Sequence, residues 1–92
     1  MFLTEQNIER LRVTGIADAT TDALVAYIEN RRPVGHFLTA VLSNNLNASF
    51  TCADDVNIEA IGPLIRWVYN YAPGECWGSK GKVMAWLSKR AV

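Results

Sequence analysis

Arg31-Arg32-Pro33-Val34-Gly35-His36-Phe37-Leu38-Thr39-Ala40-Val41-Leu42-Ser43-Asn44-Asn45-Leu46 is the stretch on which the reading of this chain turns. Pro33 pushes the residue before it out of the α region, so a helix must end near Arg32. A new helix begins at Gly35 and His36. Phe37, Leu38, Val41, Leu42 and Leu46 recur at the spacing of one buried helical stripe. Ser43, Asn44 and Asn45 prefer helix ends, because their side chains compete for backbone groups. The helix therefore stops at them, or continues bent through Cys52.

Upstream, Thr4 suits the cap of a first helix with Ile8 and Leu11 on its inner face, closed by Gly15. Thr21 or Asp22 is expected to cap a second, with Leu24, Val25 and Ile28 inward, running to about Arg32. Downstream, Asp54 or Asp55 caps the longest helical pattern, whose stripe is Ile58, Ile61, Leu64, Ile65 and Val68. Gly62-Pro63 lies within it. Either Pro63 kinks one helix, or it is a first-turn residue of a new one with 54–61 as a separate turn. Pro73-Gly74 ends the pattern. Ser79 caps a last helix, with Val83, Met84, Trp86 and Leu87 expected inward. No strand-like alternation bounded by hairpin signals occurs. The expectation is a single all-α domain over 1–92, a compact bundle of about five short helices. The predicted core sets Phe37, Leu38, Val41 and Leu42 against Ile61, Leu64, Ile65 and Val68.

The chain has 92 residues, half of them hydrophobic, with three each of Trp, Tyr and Phe. So short a domain builds a thin core, and so many apolar groups suggest that some face a partner; a homo-oligomer is expected. Nine basic residues balance nine acidic ones, which argues against general nucleic-acid binding. From Cys76 onward Lys80, Lys82, Lys89 and Arg90 occur without an acid. Two cysteines are too few for a disulfide framework. The N-terminus turns polar at once, and no apolar run approaches a membrane span, so a cytoplasmic place with reduced thiols is expected. Without a secretory signal the sequon at Asn47 carries no weight.

Four places hold polar groups that chemistry could use. Arg31 and Arg32 precede a helix start where backbone N–H groups and the dipole favour an anion; His36 adds a donor, and Phe37 adjoins it. Cys76-Trp77-Gly78-Ser79-Lys80-Gly81-Lys82 is a second helix start with small residues and cations. Its glycine spacing and the lack of a preceding strand exclude a Walker loop, which leaves a generic anion site at Lys80 beside Trp77. Asn44, Asn45, Asp54, Asp55 and Asn57 would gather if the flanking helices form a hairpin. Cys52, Cys76 and His36 lack the paired spacing of a metal or nucleophile set, and Asp54 and Asp55 are adjacent, so they point apart. No enzyme, metal or cofactor is expected.

From Pro33 to Leu46 the chain resembles a family of small phage and prophage proteins that read roughly Pro-x-Gly-x-Phe-Leu-x-Ala-Val-Leu-x-Asn-Asp-Leu. The similarity runs on through Ala53-Asp54, Asn57, Tyr69-Asn70, Ala72-Pro73 and Cys76-Trp77-Gly78-Ser79. Asn45 stands where the family pattern has Asp. The resemblance implies a bacteriophage origin and a place in the host cytoplasm. The family itself has no assigned activity; small non-enzymatic phage proteins in general often act by binding a host defence protein or by sequestering a nucleotide signal, an analogy of class rather than of site. The leading expectation is a non-enzymatic accessory protein that traps a small anionic, nucleotide-type ligand through Arg31, Arg32, His36 and Phe37, with Asn44, Asn45, Trp77 and Lys80 in support. The alternatives are a protein–protein inhibitor of a host defence protein, and a structural or regulatory phage protein.

Overall fold

The computed structural model describes residues 2–89, so Arg90 lies outside the described residues. Seven helices follow in chain order: α1 Glu5–Val13, α2 Asp18–Asn30, α3 His36–Leu42, α4 Leu46–Cys52, α5 Asp55–Ile58, α6 Ile61–Tyr71 and α7 Lys80–Ser88. The all-helical class stands and the count of about five does not. Two of the five expected segments are each split in two. Asn44 takes a left-handed φ of 62° and Asn45 caps a separate helix, its Oδ1 accepting from the Ala48 N–H at 3.0 Å. Asp54 caps the four-residue α5 in the same way, accepting from the Asn57 N–H at 2.8 Å. Pro63 then falls in the first turn of α6, where its missing N–H costs no ladder bond.

Thr4 and Ser79 cap α1 and α7 as their side chains allow, accepting from Asn7 and Lys82. The expected cap at Thr21 or Asp22 is displaced. α2 starts at Asp18 behind Ala17, which has no side-chain cap. Asn57 Oδ1 instead accepts the Ala17 N–H at 3.0 Å, a long-range substitute that local sequence cannot show. Thr21 lies inside the helix, fully buried.

α1 packs on α2 and α6, and α3 pairs with α4 as a hairpin and touches α7. The core joins Leu11, Leu24, Ile28, Leu42, Leu64 and Val68 to Trp67 and Trp86. Trp86 is its hub on the α2 side. Its Nε1–H donates to Tyr27 O at 2.8 Å, Phe2 meets its ring edge-on at 5.3 Å, and Arg31 Cζ lies 3.7 Å above the ring centroid. Glu29 fastens the N-terminal strap by accepting from the Phe2 and Leu3 N–H groups. The loop after α6 is tied to the end of α3 by the Gly78 N–H, which donates to Leu42 O at 2.7 Å. That bond sets the start of α7 beside the α3–α4 hairpin.

Four expected core positions lie outside, Ile58 on the short α5 among them. Leu46 is 61% exposed and Met84 60%. Ile65 is 38% exposed. The left-handed turn at Asn44 resets the helical phase, so Leu46 no longer continues the stripe of Phe37, Leu38, Val41 and Leu42. Among the described residues, no helix is long and apolar enough to cross a membrane.

Candidate functional site

The α3–α4 hairpin is bordered by two clefts and a small pocket. One cleft, of about 330 Å³, runs along the polar side of α3 and is closed by α4 and the first residue of α7. His36, Thr39, Ala40 and Ser43 line it from α3, a helical i, i+3, i+4, i+7 series. Asn45 at the cap of α4 and Cys52 within it line the cleft as well, and Lys80 lines it from the start of α7. From His36 to Ser43 the helix rises about 10 Å.

The charge of this cleft is one-sided. Lys80 lines it beside His36, and among the described residues no acid does. Asn45 has a divided amide: its oxygen holds the helix cap, which leaves its NH₂ as a donor. Ser43 Oγ is shielded from solvent and finds no hydrogen-bond partner among the described residues. Lys82, by contrast, is engaged, its Nζ donating to Gly74 O at 3.3 Å.

The second cleft, of about 400 Å³, meets the first at a wall formed by His36 and Cys52, which line both. It continues past Phe37 and Leu38 to α2 and the α4–α5 turn. Asp54 is its charged group, opposite in sign to Lys80. Asn57 is fully engaged there, accepting from the Ala17 N–H and donating from Nδ2 to Thr20 Oγ1 at 3.2 Å. The small pocket encloses about 40 Å³ between Val41, Leu46, Ile65, Val68 and Trp77, with Asn44 and Asn45 at its edge. It has room for a water or two and not for a nucleotide.

The expected site residues are thus distributed. His36, Asn45 and Lys80 come together in the first cleft. Phe37 is buried and contributes to the second. Asn44 and Trp77 line the small pocket, and Tyr69 meets the Trp77 ring edge-on at 5.9 Å. Arg31 and Arg32 line none of the three. Arg31 is the left-handed cap of α2, φ 56°, and its Nη1 donates to Trp86 O at 3.3 Å. Arg32 is exposed. The polar groups Asn44, Asn45, Asp54, Asp55 and Asn57 do not line one pocket: the first two line the small pocket, Asp54 and Asn57 line the second cleft, and Asp55 lines none of the three.

Thr39 carries no weight in the sequence, Ser43 enters only as a helix-end residue, and Cys52 only within the set with Cys76 and His36 that spacing sets aside. The signal was present for the α3 pair, since His36, Thr39, Ala40 and Ser43 form a small and polar stripe beside the apolar one. Cys52 is an exposed thiol, whereas Cys76 is buried. Burial pushes the Cys76 thiol up to about 12, so it stays protonated. Tyr27 is raised as well, first by burial and then by the neighbouring Cys76, and its hydroxyl donates to Cys76 O at 2.6 Å.

Comparison with known protein families, with curated proteins and with solved structures finds no match in any of the three. The described residues form an all-helical fold with two adjoining clefts along one hairpin.

Proposed function

We propose that this protein binds, without catalysis, a small anionic ligand of the nucleotide type in the cleft between α3, α4 and α7. The observation that carries the reading is the convergence of Lys80, His36 and the free amide donor of Asn45 on one cleft that no acid lines among the described residues. Each offers a proton to an oxyanion, and charge-assisted donors are the strong ones. A volume of about 330 Å³ lies in the range of small-ligand sites. The anion-attracting group is then Lys80, and not the Arg31-Arg32 pair.

The resemblance to phage proteins extends the proposal to biology. A ligand-binding protein with no turnover acts by sequestration, so the reading is of a phage accessory protein that removes a nucleotide signal used in host defence. Isothermal titration calorimetry with mono- and cyclic nucleotides tests the binding step. Binding that weakens about tenfold in Lys80→Ala is expected. A panel in which no nucleotide binds at millimolar concentration sinks the proposal.

A second reading has its own observation. Leu46, Phe50, Ile65 and Tyr69 are all exposed, spaced i, i+4 on α4 and on α6, and Leu46 and Ile65 meet at the small pocket. An apolar rim of this kind suits a protein partner, either a second copy or a host defence protein. Light scattering and pull-down from infected-host lysate separate those two.

A further inference from the structure

We propose that the second cleft reads the base of the bound nucleotide, and that the base it fits is guanine. This rests on the first cleft holding the phosphate. The two clefts share His36 and Cys52 as a common wall, and Lys80 lines the first while Asp54 lines the second. A nucleoside monophosphate has the same polarity: an anion at one end and a flat, hydrogen-bonding edge at the other. With phosphate at Lys80 and Asn45, the base lies beyond His36, against the small side chains Ala19 and Ala23 of α2.

The polar groups in that half select the edge. Asn57 has both ends of its amide engaged and reads nothing. Asp54 uses one oxygen as the α5 cap. Its other oxygen makes no hydrogen bond among the described residues, and a carboxylate has about four acceptor sites in all. It can only accept. Guanine presents two parallel donors, N1–H and the N2 amino group, which match a carboxylate fork. Adenine sets a ring acceptor beside its one amino donor, so the second carboxylate oxygen would face a lone pair. Thr20 Oγ1 already accepts from Asn57, so its hydroxyl proton remains for the guanine O6.

Calorimetry on the full chain with GMP, IMP, AMP and inorganic phosphate tests this. The expected order is GMP tightest, IMP weaker because it lacks the N2 amino group, and AMP weakest, about tenfold or more below GMP. Asp54→Asn keeps an oxygen to cap α5. It should leave the circular dichroism spectrum and phosphate affinity unchanged and abolish the preference for GMP. Equal affinities for GMP and AMP, or a GMP preference that survives Asp54→Asn, would overturn the base assignment while leaving the anion site standing. Failure of all four probes to bind removes the anion site and the base assignment with it.

Discussion

Replacing Arg31 separates a structural arginine from a ligand-binding one. Its guanidinium carbon lies 3.7 Å over the Trp86 ring centroid, a half-buried stack worth about 1–2 kcal/mol. The bond from Nη1 to Trp86 O is long at 3.3 Å, so it adds less than about 1 kcal/mol. Arg31→Ala should therefore lower stability by about 2 kcal/mol, or roughly 8–16 °C in Tm for a chain of this size. The backbone supplies an internal control. At φ 56° any L-residue carries about 1–2 kcal/mol of strain that glycine does not. Arg31→Gly removes the same side chain and relieves that strain, so it should be about 1 kcal/mol more stable than Arg31→Ala. Arg31→Lys keeps the charge without the flat face and should fall between wild type and alanine. Urea unfolding followed by circular dichroism measures the series. An alanine variant indistinguishable from wild type, or a glycine variant below alanine, refutes the reasoning. In each folded variant nucleotide affinity should be unchanged.

Other expectations follow from burial. Cys76 and Tyr27 titrate above their ordinary values of 9.0 and 10.0. The folded state holds protons that the unfolded chain releases, so stability is full below about pH 9 and falls as pH rises toward 12, by up to ~1.4 kcal/mol per pH unit for each group. Urea midpoints at pH 7, 9 and 10.5 give that slope, and a flat profile would contradict the burial of both groups. At pH 8 a disulfide reagent should label Cys52 quickly and Cys76 not until the chain unfolds; mass spectrometry of the labelled peptides decides it. Leu46→Lys places a charge on the apolar rim at a residue that is 61% exposed, so stability should change by less than ~0.5 kcal/mol. If the rim joins two copies, the same change should convert an oligomer to a monomer by light scattering, and an oligomer that persists shifts the interface elsewhere.

What the sequence made legible was local. Thr4, Ser79 and Asp54 announce their helices because a cap is a contact three residues long. The class follows from the apolar spacing in α2, α3 and α6. Long-range contacts were not legible. Nothing near Ala17 says that Asn57 will satisfy its N–H, so the start of α2 was placed late. Arg31 next to Arg32 and a helix start reads as an anion site, and what turns Arg31 to another purpose is Trp86, 55 residues away. The same limit applied to the cleft. His36, Asn45 and Lys80 were each visible as polar groups at helix ends. Their convergence depends on the hairpin turn at Asn44 and on the Gly78–Leu42 backbone bond, neither of which leaves a periodic trace.

Asn45 bears directly on the cleft. At this position the side chain has two tasks. Its oxygen must accept from the Ala48 N–H to start α4, and Asn and Asp do this about equally well. The cap therefore gives no reason to prefer asparagine. Its other end lines the Lys80 cleft, and there the two residues differ in sign: the asparagine NH₂ donates, whereas a carboxylate would oppose an anion and pair with Lys80 instead. Asn45→Asp should then leave stability within about 0.5 kcal/mol and weaken phosphate or nucleotide binding by about tenfold or more, the ~1.4 kcal/mol expected when a donor near an anion becomes a like charge in a partly solvated cleft. The loss should shrink as salt is raised, because the repulsion is screened. Thermal unfolding and calorimetry at 50 and 500 mM salt, roughly a threefold change in screening length, measure both quantities. An unchanged affinity would mean that the ligand does not reach Asn45, and the anion would have to sit at Lys80 and His36 without it.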